Sequence, residues 1–208
     1  MATIDHLVVA GGALDPLVAW FTEATGVTPS PGGSHPGVGT RNALVGLNDA
    51  TYLELIAPDP DQPDPARPRP FGVDDLAPHE HRLVTFALRV DDIVMATGAA
   101  RRAGVELGVP HEMRRNRPDG VLLSWQLTES LYPVGGGAVP FLIAWRDSPH
   151  PSASLSHDCR LDRLLVRHPD PERLARMFEA VGVELPVSAA DPGGVSATLG
   201  TPEGTVEL

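Results

Sequence analysis

Apolar positions along the chain switch between two periods, and the switch recurs three times. Residues 4–9 form a short apolar run of strand length. The pair Asp15-Pro16, an N-cap and first-turn signature, then accompanies Leu14, Leu17, Val18, Phe21 and Ala24 at helical spacing, up to Gly26-Val27. The same order returns near the end of the chain. Residues 161–166 read as a strand, Asp170-Pro171 opens a helix carrying Leu174, Met177, Phe178 and Val181 on one stripe, and Gly182-Val183 closes it. A less regular copy lies between them: a strand over 83–90, Asp92, a helix over 93–103, then Gly104-Val105. GVEL occurs at 104 and again at 182. Strand-like runs follow each helix, at 41–47 and 52–57, at 121–128 and 141–145, and at 195–199 and 205–208. Each unit therefore reads strand, helix, then two or three strands. Such a unit covers one face of a small sheet with its helix and needs a partner for the other, so the units are expected to pair.

Proline and glycine, 22 and 21 residues, cluster between these units rather than within them. The densest stretch, PDPDQPDPARPRP at 58–70, has no apolar period and predicts an extended, exposed connector. The predicted boundaries are a first module over 1–60, the connector over 61–80, a second module over 81–150 and a third, shorter one over 151–208. The glycines at 135–137 predict a long loop between two strands. The chain of 208 residues has a net charge of −11, and all 16 of its basic residues are arginine. No basic arm tracks a phosphate backbone, which argues against nucleic-acid binding. No apolar run approaches the roughly 18 residues that span a bilayer, so no membrane role is expected. A single cysteine, Cys159, allows neither an internal disulfide nor a cysteine cage for zinc. Residues 1–14 lack a positive leader before their apolar run, and a cytoplasmic protein is expected.

The segments IDHLVVAGGALDPLVAWF, GGSHPGVGTRNALVGL and TYLELIAPDP together resemble the glyoxalase-like branch of the vicinal oxygen chelate superfamily. VPFLIAWRDSPHP and the third unit extend the resemblance over nearly the whole chain. It implies an α+β fold in which paired βαβββ modules form a cupped mixed β-sheet with helices outside, here with a third βαββ unit at the C-terminus. It also implies a small-molecule enzyme: divalent-metal-assisted lyase, isomerase or dioxygenase chemistry on a small oxygenated substrate held in the cup. The alternative is a metal-free protein that binds or sequesters a small molecule on the same fold. The superfamily often completes its sheets across a dimer, so a homodimer is expected.

In metal-using members the ligands come from the first and last strands of a module. Here those strands offer His6 and Glu54. By period-2 alternation His6 shares a face with Ile4 and Val8, and Glu54 shares one with Tyr52 and Ile56. A carboxylate on an otherwise apolar strand is costly unless a cation or donor meets it, which singles out Glu54. An imidazole and a carboxylate suit Zn, Fe, Mn, Ni or Co; alternatively Glu54 is a proton-transferring base. The second module offers no good ligand near Val84, Thr85 or Phe141, and in the third Arg163 and Glu207 are expected to form a structural ion pair. A third ligand would have to be borrowed, and His35, in the Gly-rich stretch 31–40, is the candidate. His35 and Asn42 are also candidates to orient a substrate carbonyl or carboxylate, and Arg41 to clamp an anion. Trp125, Phe141 and Trp145 are candidates for an aromatic pocket wall. Arg114, Arg115, Asn116 and Arg117 are read as a solvated turn, with a grip on a substrate carboxylate or phosphate as the alternative, His79, Glu80 and His81 as surface, and Cys159 as inert. No G-x-S-x-G, P-loop or H-E-x-x-H motif is present.

Overall fold

A computed structural model describes residues 1–116, 120–129 and 134–208. The first module consists of β1 (Thr3–Gly11), α1 (Leu14–Thr25), β2 (Ser30–His35), β3 (Thr40–Asn48) and β4 (Thr51–Pro58). The second has β5 (His81–Arg89), α2 (Ile93–Arg102), β6 (His111–Asn116), β7 (Leu122–Leu127) and β8 (Phe141–Ala144). A third set follows: β9 (Arg160–His168), α3 (Pro171–Val181), β10 (Val187–Ala189), β11 (Gly194–Thr201) and β12 (Gly204–Glu207). The helix starts largely follow the sequence signals. Asp92 accepts from the Met95 N–H and Asp170 from the Arg173 N–H, while Gly26 and Gly182 close α1 and α3 in the left-handed conformation. Asp15 differs: the N-cap is Ala13, two residues earlier, no side chain caps α1, and Asp15 instead pairs with Arg41.

The first two modules share one eight-stranded sheet in the order β2-β3-β4-β1-β5-β8-β7-β6. Each module folds its last strand parallel to its first, β4 beside β1 and β8 beside β5, and the antiparallel β1–β5 pair joins the two halves. The sheet curls until its two edges almost meet, and Arg115 of β6 donates to the carbonyl of Gly32 on β2. The expected cupped α+β fold is what the structure shows. Two strands of this sheet were not legible. Residues 30–35 form β2 rather than loop, and residues 111–116 form β6 rather than a solvated turn. Arg114 is exposed, but Arg115 is only 4% exposed because its alternate position on β6 faces inward; Arg117 lies outside the described residues.

The outer face of this sheet carries Leu7, Val9, Leu53, Leu55, Phe86 and Leu88, covered by Phe21 of α1 and Ala100 of α2. The third set packs on the same side. Its own sheet runs β10-β9-β11-β12, and Leu174, Met177 and Phe178 of α3 and Leu199 of β11 join the same apolar cluster. Three strands follow α3, one more than expected, and their order is not that of the other modules. β12 pairs with β11 and not with β9, so Arg163 and Glu207 stand two strands apart, ~10 Å by strand spacing. The expected ion pair is replaced by a Thr198 hydroxyl donating to Glu207 at 2.8 Å.

The proline-rich connector was expected to be exposed along its length, and only its outer side is. Asp59 is buried and receives the Gln62 amide at 2.8 Å. Arg69 donates to the Gly39 carbonyl and to Asp64 and Asp74, each at 2.8 Å, which ties the segment to the β2–β3 turn. The 3-10 turn Pro70–Asp75 then buries Phe71, at φ 64, inside the curl of the sheet. The glycines at 135–137 lie in a short 3-10 turn, Val134–Gly137. Among the described residues no helix is long and apolar enough to cross a membrane.

Phe178 and Phe86 sit with ring centroids 6.4 Å apart where α3 meets the large sheet, both essentially without solvent contact. Phe178→Ala should therefore cost about 3–5 kcal/mol. Because this cluster unites the third set with the rest, urea unfolding followed by tryptophan fluorescence and by far-UV circular dichroism should show one coincident, shifted transition.

Candidate functional site

Alternation on the curled strands sends one side chain in two to the inside. The result is a cavity of about 400 Å³, within the range of small-molecule sites. From the first module come His6 of β1, His35 at the end of β2, Thr40 and Asn42 of β3, and Tyr52, Glu54 and Ile56 of β4. From the second come His111, Met113 and Arg115 of β6, Trp125 and Leu127 of β7, and Phe141 and Ile143 of β8. Trp145 lies just beyond, and residues 65–68 of the connector with Pro70 and Phe71 complete the wall. One half of the cup is thus largely polar and the other mainly apolar, apart from His111 and Arg115.

The polar half is built around Asp5. β1 bulges at this residue: Ile4 pairs with Leu88 and His6 with Ala87, so two steps on β1 match one on β5. A bulge re-aims side chains, and Asp5 is wholly buried. One carboxylate oxygen lies 2.6 Å from His6 Nδ1; the other accepts from Trp145 Nε1 at 3.0 Å and meets His150 Nε2 at 2.9 Å. Burial alone would push the Asp5 carboxyl up, but the hydrogen bonds from His150 and His6 outweigh it and hold the group well below the usual carboxylate range. An ionised carboxylate only accepts, so the His6 proton next to it sits on Nδ1. Nε2 then points at Glu54, whose Oε2 is 3.7 Å away. Tyr52 stacks on the His6 ring at 4.6 Å and Phe141 meets it edge-on at 5.4 Å.

Glu54 is held from its other side. The Asn42 amide donates to Oε1 at 2.5 Å, and the same nitrogen lies 3.4 Å from His35 Nε2, while His35 Nδ1 contacts the Thr40 hydroxyl at 2.9 Å. Burial pushes the His35 pKa down, which keeps the ring neutral at pH 7, with Nδ1 as donor to Thr40 and Nε2 as acceptor. Asn42 Oδ1 is buried with no hydrogen-bond partner and faces Gly32, where a Cβ would come within 2.0 Å. Any side chain at position 32 would displace the amide that holds Glu54. Tyr52, raised well above its ordinary value by burial, stays protonated and can only donate or accept as a phenol.

Among the sequence candidates, the structure brings His6, Glu54, His35, Asn42, Trp125 and Phe141 to one cavity. It does not bring Arg41, whose odd position on β3 turns it outward to Asp15 at 3.1 Å. His79 is exposed, Glu80 accepts from the Ala77 N–H, and His81 stacks on Trp20. Cys159 is buried, and burial pushes its thiol up to about 11, so it is no nucleophile at neutral pH. Asp5, Tyr52 and His150 were missed, and Arg115, read mainly as part of a solvated turn, is buried at the cavity wall. The alternation His111, Met113, Arg115 carried a signal for the last, had the stretch been read as a strand.

The donor set tests the expected metal. His6 Nε2 and Glu54 Oε2 are near enough to share one ion, and Asp5 holds His6 as an outer partner holds a metal-bound imidazole. His35, however, turns its Nε2 to the Asn42 amide. Among the described residues no three His, Cys, Asp or Glu side chains gather closely enough for a metal. Catalytic zinc sites use three protein ligands, and this set is one short.

A family model described as a glyoxalase-like domain matches residues 4–182. A comparison with curated proteins gives no match. Among solved structures, a hypothetical protein from Staphylococcus aureus superimposes with a TM-score of 0.64 at 16% identity, covering 100% of this chain and 84% of its own. A methylmalonyl-CoA epimerase in complex with methylmalonyl-CoA gives 0.47 at 20% identity, over 73% of this chain and 99% of that one. A methylmalonyl-CoA epimerase variant from Streptomyces coelicolor, in complex with 2-nitronate-propionyl-CoA, gives 0.45 at 21% identity, over 71% and 98%. At 16% identity, the likeness to the Staphylococcus aureus protein speaks to the fold alone.

Asp5 anchors the site, and its removal should be visible as stability. A carboxyl whose folded pKa is depressed contributes stability that is present above its unfolded pKa, about 3.9, and is lost as pH falls through the folded value. Asp5→Asn should therefore cost roughly 3–5 kcal/mol at pH 7 by stranding its donors. The difference from wild type should shrink as pH drops below about 4, measured by chemical denaturation across pH.

Proposed function

The chain belongs to the glyoxalase-like domain family of the vicinal oxygen chelate superfamily, and on that premise we propose that the cup is the active site of a small-molecule enzyme. Its reaction is proton transfer at a carbon next to an oxygen-bearing carbon, of the isomerase or lyase class. The observation that carries this reading is the buried pair of Glu54 Oε2 and His6 Nε2, 3.7 Å apart at the cavity wall. Asn42 fixes one Glu54 oxygen and leaves the other facing the cavity as base. The C–H proton passes to Glu54 while the electron pair moves onto the neighbouring oxygen, where the Tyr52 phenol is a donor. Return of the proton from Glu54 at the same or an adjacent carbon completes an isomerisation; alternatively the pair returns from the oxygen to form a C=C bond and expels a leaving group from the carbon on the other side of the deprotonated one, which completes an elimination. His6, held by Asp5, exchanges protons with Glu54 or with the substrate oxygen.

A second reading keeps a divalent ion, Zn, Fe, Mn, Ni or Co, and with it the dioxygenase alternative; the Asp5-supported imidazole beside a carboxylate is what favours it. Elemental analysis of the purified protein decides between them. The primary reading expects activity that survives chelation with EDTA. The third alternative, sequestration without turnover, expects neither metal nor exchange.

The test is deuterium uptake from D2O into a panel of small oxo acids and hydroxy ketones, followed by mass spectrometry. Wild type should label at least one of them, and Glu54→Gln should slow labelling about 10²–10⁴-fold with little change in melting temperature. Labelling that persists in Glu54→Gln would remove Glu54 as the base.

A further inference from the structure

The curl of the large sheet fixes which walls of the cavity oppose each other. In the order β2-β3-β4-β1-β5-β8-β7-β6, with β6 returning beside β2, β4 lies four strands from β7 and β3 four strands from β8, whichever way round they are counted. Glu54 on β4 therefore stands across from Trp125 and Leu127 on β7, and Asn42 on β3 across from Phe141 and Ile143 on β8. Charge is confined to the polar side. Arg115 borders the cluster of His35, Asn42 and Glu54, near enough for its charge to act on His35 and Tyr52, so that side already holds an anion and a cation together. At the rim Arg67 pairs with Glu129 at 3.3 Å. A carboxylate brought in by a ligand meets Glu54 at one wall and loses its water against the other, which favours a neutral ligand.

The polar wall sets the hydrogen bonds such a ligand must make. Tyr52 stays protonated and offers a phenol donor. The proton on His6 Nδ1, held by Asp5, leaves Nε2 as an acceptor, and Glu54 Oε2 is a second acceptor 3.7 Å away. A ligand that satisfies this set carries a carbonyl oxygen to accept and a hydroxyl to donate. The facing wall is aromatic: Trp125 and Trp145 pack with centroids 5.3 Å apart, and Phe71 and Phe141 at 5.9 Å. Trp145 is fixed by its Nε1, which donates to Asp5 at 3.0 Å, and Met113 of β6 stands opposite Trp125. Ring faces and edges with a thioether beside them suit a flat ring.

Resting on the reading of the cup as a substrate site, we propose that its ligands are neutral aryl hydroxy ketones, with the ring against Trp125 and the two oxygens on the polar wall. The ketone oxygen accepts from Tyr52, the hydroxyl donates to His6 Nε2, and the C–H between them faces Glu54. Trp125 is then a specificity-determining residue. Ketones without a ring, rings without the hydroxyl, and anions of the same shape are poor ligands.

The test is isothermal titration of the full chain with four probes: 2-hydroxy-1-phenylethanone, hydroxyacetone without the ring, acetophenone without the hydroxyl, and phenylglyoxylate with a carboxylate in place of the hydroxymethyl group. The first should bind at least about tenfold more tightly than each of the others. Trp125→Leu should weaken the first probe about tenfold and leave hydroxyacetone unchanged, while Trp125→Phe keeps most of the affinity and controls for folding. Glu54→Gln should bind the first probe nearly as wild type does and bind phenylglyoxylate more tightly than wild type does, because the opposing charge is gone. No binding of 2-hydroxy-1-phenylethanone to wild type overturns the proposal. So does binding of phenylglyoxylate or hydroxyacetone as tight as its own, or an affinity unchanged in Trp125→Leu. If wild type binds the aryl hydroxy ketone but Glu54→Gln leaves labelling unaffected, the proton-transfer reading has failed and the ligand class stands. If wild type labels small oxo acids and does not bind the aryl hydroxy ketone, the ligand class has failed and the reading stands.

Discussion

One buried carboxylate organises this molecule. Asp5 has no solvent contact, and three donors converge on it: His6 beside it and, from a distant part of the chain, Trp145 just beyond β8 and His150 further on. An ionised group at that depth is tolerated only while those donors stay in place. His150 in turn contacts Ser152, whose hydroxyl donates to the Asp49 carbonyl at the β3–β4 turn. The chain of bonds therefore joins both modules of the large sheet through a single point. The bulge in β1 makes this geometry available: without it Asp5, next to an inward His6, would face the outer core.

The cup is asymmetric although its two halves share a topology. In the first module the inward positions nearest the β1–β4 pair are His6, Tyr52 and Glu54; in the second, the β5–β8 pair presents Ala87 and Phe141. The duplicated fold thus supplies a polar wall and a facing apolar wall from the same backbone plan. A site with one fixed carboxylate–imidazole pair against an apolar wall is suited to orienting a small molecule and excluding water from it. The outer face is apolar where it buries α1, α2 and the apolar side of the third set.

The connector shows how composition can mislead. Its outer side is wet, but the segment turns at 60–61 and bends at 66–67 instead of running extended. Its inner side lines the cavity because Arg69 ties it to the Gly39 carbonyl and Phe71 enters the inner apolar cluster. A segment with no apolar period can still be a wall when a single aromatic and a single guanidinium anchor it.

The sequence by itself determined what depends on local chemistry. Period-2 alternation put His6 with Val8 and Glu54 with Tyr52 and Ile56, and the helix caps and the three-fold recurrence of strand and helix marked the modules. The HPGVGT and TYLELIAP stretches drew attention to His35, Asn42 and Glu54. Tertiary structure alone decided what depends on register and curvature. β2 and β6 lack an apolar alternation strong enough to declare them strands, since one is Gly-rich and the other mostly polar; they became strands because the sheet had edges to extend. The inward turn of Arg115, the outward turn of Arg41 and the meeting of Asp5 with His150 all follow from that register. So does the different order of β9 to β12, which parted Arg163 from Glu207. A repeat in sequence fixes which elements form, but the choice of neighbour for a strand is made by whichever pairing buries most apolar surface, and no local pattern carries that information.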